Sequence, residues 1–160
     1  MTLREQVEEV VDAALSAAVA DGSLPLEEVP AAALERPRDA ANGDWASTVA
    51  LRAAKAAHMK PRDVAEVVVS HLPKNDLIAS TEIAGPGFVN IRLTNAALAS
   101  VIAEARREGM DFGRGEAPAN AGRINLEYVS ANPTGPMHVG HGRWAALGDS
   151  MARVLRHAGF

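Results

Sequence analysis

The chain has 160 residues, 48% of them hydrophobic, and no cysteine, which excludes disulfides, thiolate metal sites and cysteine nucleophiles. That hydrophobic share is that of a globular protein, not a disordered or collagen-like one, and no apolar run nears the roughly 18 residues of a membrane span. The net charge of −4 is uneven: residues 1–44 hold ten acids and three bases, the rest ten acids and thirteen bases, so a basic excess lies downstream.

The N-terminal MTLREQVEEVVD carries charges where a signal peptide needs an apolar core, and a cytoplasmic protein is the simplest reading. In LREQVEEVVDAALSAAV, Leu3, Val7, Val10, Val11, Ala14 and Leu15 recur at helical spacing, which predicts an amphipathic helix ending before Asp21-Gly22. An irregular stretch with Pro25, Pro30 and Pro37 follows, then an alanine-rich helix around Ser47–His58. Pro61 opens another helix with Val64, Val67, Val68 and Leu72 on one face. The basic residues Arg52, Lys55, Lys60 and Arg62 fit either a polyanion or a solvated helix face.

Two alternating runs, 77–83 and 88–93, are joined by Gly85-Pro86-Gly87 and read as a hairpin. On the second run Val89, Ile91 and Leu93 form an apolar face, and Phe88, Asn90 and Arg92 the other. A ring, an amide and a guanidinium suit an unstacked RNA base and its phosphate; a packed Phe88 and a solvated Arg92 would read the same way. Thr94 or Asn95 caps a further helix with Leu98, Val101, Ile102 and Ala105 as its buried stripe, and Gly109 stops it. Residues 1–108 thus read as an α+β domain of helices on a small antiparallel sheet, 109–122 as a linker, and 123–160 as the opening of a second domain. There, 123–129 reads as a strand, and a helix from about His141 buries Leu147, Met151, Val154, Leu155 and Ala158. Strand, loop and helix make the first unit of an α/β, Rossmann-like fold that needs further strands, so a longer enzyme is expected.

Between that strand and helix lies Ser130–His141, SANPTGPMHVGH. A helix N-terminus presents unpaired N–H groups and the positive end of a dipole, which suits phosphate. Gly140 lets the backbone approach a ligand, Gly142 extends this freedom, and Pro133 and Pro136 hold one loop shape. His138 and His141 can then donate to phosphate oxygens where negative charge grows during phosphoryl or nucleotidyl transfer. A His-x-x-His pair also occurs in zinc sites, but no third ligand cluster is visible and no metal ligand is assigned.

LEYVSANPTGPMHVGHGR, residues 126–143, resembles the first signature region of class I aminoacyl-tRNA synthetases, in the version of the arginyl-tRNA synthetases. GDWASTVALRAAK and AGPGFVNIRL resemble the N-terminal additional domain of the same family. The resemblance implies a ligase whose N-terminal part this is, inactive by itself, that activates L-arginine with ATP and Mg²⁺ and charges tRNA(Arg). It implies no tightly bound cofactor, a monomer, a cytoplasmic location and no membrane. It places the signature on Ala131, Asn132, Pro133, Thr134, Gly135, Pro136, Met137, His138, Val139, Gly140 and His141. His138, Gly140 and His141 correspond to ATP-binding positions, the histidines being catalytic, and Glu127, Ser130 and Asn132 to arginine-binding positions. Phe88 and Asn90 correspond to positions that meet a D-loop base of the tRNA, beside Arg92. Thr134-Gly135-Pro136 stands where some members carry a lysine, so the catalytic lysine is expected in a later loop. A small nucleotidyltransferase and a stand-alone RNA-binding module are the rival readings.

Overall fold

The protein is described by a computed structural model covering all of residues 1–160. Thr2 starts α1 (Leu3–Ala20) with a reciprocal cap: its hydroxyl accepts the Glu5 N–H at 3.2 Å, and the Glu5 carboxylate accepts the Thr2 N–H at 2.7 Å. Val7, Val11, Ala14, Leu15 and Ala18 are buried along one side of α1, as the spacing requires. Pro61 occupies the first turn of α3 (Pro61–Ser70), where its missing N–H has no partner to lose, and Val64, Ala65 and Val68 are buried.

Four strands form one antiparallel sheet in the order β1 (Leu34–Glu35), β2 (Trp45–Ser47), β4 (Phe88–Leu93), β3 (Ile78–Ala84). The expected hairpin is β3–β4; its turn closes through Gly87 N–H to Ala84 C=O at 3.2 Å. Gly87 is required there twice over: its φ is +148°, and a Cβ would lie 2.8 Å from the Pro61 carbonyl carbon. Val89, Ile91 and Leu93 of β4 pack into one core with Val7 and Leu15 of α1, Val49 and Ala50 of α2 (Val49–Ala53), and Val64 and Val68.

The alanine-rich segment departs from the expected helix 47–58. Trp45–Ser47 is a strand, α2 is only five residues long, and turns continue to His58, which has φ +53°. Ser47 is held extended by pairing with Val89 of β4, and its hydroxyl donates to Ala32 C=O while accepting the Val49 N–H at 3.3 Å. Three residues of strand are too short to register as an alternation, and the sheet overrides the helical propensity of alanine.

Thr94 caps α4 (Asn95–Glu108): its Oγ1 accepts the Ala97 N–H at 3.1 Å and donates to Asp76 C=O at 2.8 Å. The expected stripe on α4 is not buried. Leu98 and Ile102 are exposed, Val101 and Ala105 half-buried, and Ala97 alone is enclosed, because the core closes without this helix.

The chain divides into two compact units, Met1–Ala103 and Glu104–Phe160. In the second, α5 (Val139–His157) is the one long helix wholly inside it, and 109–117 folds back on the helix end through Gly115 N–H to His157 C=O at 2.8 Å. Residues 123–129 form no strand: a lone strand has no neighbour to satisfy its backbone donors and acceptors. For the same lack of partners the expected apolar stripe of α5 is open. Leu147, Met151 and Val154 are exposed, Leu155 and Ala158 half-buried, and the buried residues are Gly148 and Ala152.

Candidate functional site

The loop 130–138 is exposed throughout and ends at His138, the N-cap of α5. His138 Nδ1 accepts the Gly140 N–H at 3.1 Å, and His141 Nδ1 accepts the His138 N–H at 3.1 Å. An imidazole that accepts on Nδ1 carries its proton on Nε2 when neutral, so both rings keep an N–H donor free on the other nitrogen. The ring centroids lie 4.0 Å apart, and Trp144 meets His141 edge-on at 6.4 Å. A Cβ on Gly140 would lie 2.8 Å from His138 Cε1, so this glycine makes room for the capping ring itself.

Upstream, Ser130 Oγ donates to Glu127 Oε1 at 2.6 Å. Val129 between them has φ +68°, an uncommon backbone for a β-branched residue. Glu127 and Ser130 line a cavity of about 360 Å³ with Tyr128, Trp144, Leu147 and Met151. A carboxylate against aromatic and aliphatic walls suits a side chain with a cationic head and an apolar stem. Asn132 lies in the exposed loop outside this cavity, as do the remaining signature residues Ala131 and Pro133 to Met137. Tyr128, Trp144 and Gly148 also line this cavity, and no sequence motif marks them. A Cβ on Gly148 would come within 2.1 Å of Tyr128 Cγ, and a glycine inside a helix pattern is the signal that could have located this close contact.

In the first unit, Phe88 is half-buried and Arg92 exposed, whereas Asn90 retains only 7% exposure. Phe88 and Asn90 line a groove of about 460 Å³ on the sheet face opposite Val89 and Ile91, together with Arg36, Arg38 and Asn42. No hydrogen bond inside the protein uses the Asn90 amide, and no buried side-chain atom lacks a partner, so the amide keeps its contact with solvent. Arg92 leans away to donate to Ala41 C=O at 2.9 Å and lines a neighbouring recess instead. Arg36 was not legible as a groove residue; its guanidinium carbon sits 4.3 Å from the Trp45 ring centroid.

Other polar groups carry less. Ser70, His71 and Asp21 are arranged in a line that resembles a hydrolytic triad, but His71 Nδ1 bonds to Val67 C=O at 2.8 Å and Nε2 to Asp21 at 2.8 Å. Both nitrogens are engaged as donors and neither can activate Ser70. The hydrogen bond from His71, then those from Ser23, hold Asp21 down at about 2, and Asp21 in turn raises His71 above its ordinary value. Arg52, Lys55, Lys60 and Arg62 are exposed, and Arg62 reaches Glu66 at 3.8 Å, as on a solvated face. No three histidine, aspartate or glutamate side chains are grouped to hold a metal, and no helix is long and apolar enough to cross a membrane.

Residues 5–93 match the family model described as the arginyl tRNA synthetase N terminal domain. The chain is 46% identical over 158 residues to the arginine–tRNA ligase of Thioalkalivibrio sulfidiphilus, covering 99% of this chain and 27% of that protein. To the arginine–tRNA ligase of Kineococcus radiotolerans it is 50% identical over 149 residues, covering 91% and 27%. The arginyl-tRNA synthetase structure from Thermus thermophilus superposes with a TM-score of 0.58 at 26% identity, covering 99% of this chain and 24% of that one. The chain therefore spans about a quarter of the length of the relatives it matches. These matches extend from the capped first helix to the histidine loop, and the chain belongs to the arginyl-tRNA synthetase family.

Proposed function

We propose that this sequence serves an arginine–tRNA ligase, supplying its tRNA-contacting region (1–108), a linker (109–122) and the opening of a Rossmann-like catalytic domain (123–160). The observation that carries the reading is the pair of imidazoles at the start of α5, whose Nδ1 atoms are both occupied and whose Nε2–H donors are free. Arginine's carboxylate attacks the α-phosphorus of ATP, the bond to pyrophosphate breaks, and negative charge grows on the α-phosphoryl oxygens. Donors set in advance by backbone bonds meet that charge without reorganisation. Gly140 keeps the histidines in this arrangement. The free oxygen of Glu127 takes the arginine guanidinium, Ser130 orients Glu127, and Asn132 holds the amino acid's carboxylate or amine.

Mg²⁺ would accompany ATP and neutralise its phosphates. The groove around Phe88 and Asn90 takes an unstacked base of tRNA(Arg), with Arg92 at its margin. The 160 residues alone are inactive in this reading, because the apolar face of α5 is uncovered and no lysine of a second signature is present. Acting on tRNA, the ligase works as a cytoplasmic monomer.

The test is single-turnover adenylate formation in the ligase bearing these residues. His138→Ala and His141→Ala should each slow activation roughly 100–1,000-fold while arginine binding changes little. Unchanged activation in both variants defeats the assigned role.

A further inference from the structure

Asn42-Gly43 is the only asparagine–glycine pair in the chain, and it ends a single 3-10 turn, Ala40–Asn42. The backbone nitrogen after an asparagine can attack the side-chain carbonyl carbon, and a glycine, having no Cβ, shields that nitrogen least. The fold cannot exchange this glycine for another residue. Its φ is +102°, and a Cβ would lie 2.7 Å from the Ile91 carbonyl oxygen, a backbone atom of β4 with no freedom to turn away. The Asp44 N–H bonds to the same oxygen at 2.8 Å, so this close approach seats the turn on the sheet.

Asn42 is exposed, and its neighbours make the bonds of the turn. Asp39 Oδ1 accepts the Ala41 N–H at 2.9 Å, Arg92 donates to Ala41 C=O at 2.9 Å, and Asp44 Oδ2 accepts the Leu93 N–H at 2.8 Å. The Asn42 amide takes part in none of them. One bond restrains the attacking nitrogen: Gly43 N–H to Ala40 C=O at 3.2 Å, at the long end of the ordinary range and the last in a one-turn helix. Asp21-Gly22 could close the same ring, but both of its carboxylate oxygens are held, Oδ1 by the Ser23 N–H at 2.9 Å and Oδ2 by His71 Nε2 at 2.8 Å. Neither oxygen is available as a leaving group there.

We propose that Asn42 is a site of spontaneous deamidation. The Gly43 nitrogen gives its proton to hydroxide or water and bonds to Asn42 Cγ, and ammonia leaves, closing a cyclic imide. Water then opens the ring. Breaking the bond from Cγ to the nitrogen yields aspartate, whereas breaking the bond from the Asn42 main-chain carbonyl carbon yields isoaspartate, with the chain running through Cγ. Asn42 lines the groove with Phe88 and Asn90 and the neighbouring recess with Glu82 and Arg92. Conversion therefore adds a carboxylate where Glu35 and Glu82 already stand, and isoaspartate lengthens the backbone between Ala41, the acceptor of Arg92, and Asp44. On the reading of the groove as an RNA-base site, the converted chain binds tRNA more weakly, because added negative charge repels the phosphate backbone.

The experiment incubates the 160-residue chain in mildly alkaline buffer, native and in denaturant, and follows residue 42 by peptide mass spectrometry with isoaspartyl methyltransferase labelling. Asn42 should convert to aspartate and isoaspartate in the native chain no more than about tenfold more slowly than in the denatured one, the factor that a single net hydrogen bond supplies. Asn95 and Asn120, both exposed and both followed by alanine, should still be amides when Asn42 has converted. Asn42→Gln, whose longer side chain disfavours the ring, should leave the position unmodified. A native chain slowed by more than about tenfold, or Asn95 and Asn120 converting as fast as Asn42, overturns the proposal. Binding of a tRNA(Arg) transcript at low salt separates the consequence from the site. Aged parent and fresh Asn42→Asp should bind more weakly than fresh parent, and aged Asn42→Gln should bind as it does when fresh. Conversion with no loss of binding leaves the modification site standing and defeats the placing of RNA in the groove.

Discussion

His138 and His141 are linked through the backbone: each ring accepts an N–H of the helix start, and the two stack with centroids 4.0 Å apart and 31° between planes. One-sided use of Nδ1 makes the tautomer a structural property. Nitrogen-15 NMR of the neutral imidazoles should find both protonated on Nε2. A predominance of Nδ1–H at either ring contradicts the capping geometry and removes the donors assigned to ATP.

Gly148 sets the distance between α5 and the segment that carries Glu127. Alanine there would place its Cβ 2.1 Å from Tyr128 Cγ. Gly148→Ala should therefore displace the tyrosine and destabilise the second unit by about 1–3 kcal/mol, the usual cost of overpacking. Tyr128 is the only tyrosine in the chain, so its NMR resonances report the change directly. Unmoved tyrosine resonances in the variant would show that the ring does not pack on Gly148.

The turn at Gly87 makes a second packing prediction, in the first unit. Gly87→Ala forces both a positive φ on an L-residue and a contact with the Pro61 carbonyl. A loss of about 1–3 kcal/mol is expected in denaturant unfolding, and parent-like stability would place α3 farther from the hairpin than described.

His71 and Asp21 join the ends of α3 and α1, and their bond has a pH signature. Asp21 is depressed to about 2 from an ordinary 3.8, so its share of stability is present above the unfolded value and lost as pH falls through about 2. His71 is raised above 6.5, so its share is complete below that value and lost as pH rises through the folded value. The pair contributes most between about pH 4 and 6.5. Comparing Tm of the parent and His71→Gln across pH should show the largest gap in that window and a shrinking gap in alkaline solution. A gap that grows with rising pH contradicts the bond.

The sequence made legible those elements whose signal is local. The amphipathic α1, the Pro61 start of α3, the Gly85-Pro86-Gly87 hairpin and the Thr94 cap each depend on residues within a few positions of one another. What it concealed depends on distant partners. Strand β2 exists because Ser47 pairs with Val89, and no pattern in three residues can announce that. Residues 123–129 alternate like a strand yet have no neighbour to pair with, and Leu98, Ile102, Leu147 and Met151 sit at core spacing without a core. At the candidate site the histidine spacing was legible because it is contiguous. Arg36 was not, since only the fold brings it to the groove lined by Phe88 and Asn90.

The central claim, that these residues belong to a ligase that activates arginine, is tested most directly by ATP–pyrophosphate exchange in the ligase that carries them, run with each amino acid in turn and with tRNA present. Exchange is expected with arginine and with no other amino acid. Exchange with a different amino acid, or none with arginine, would contradict it.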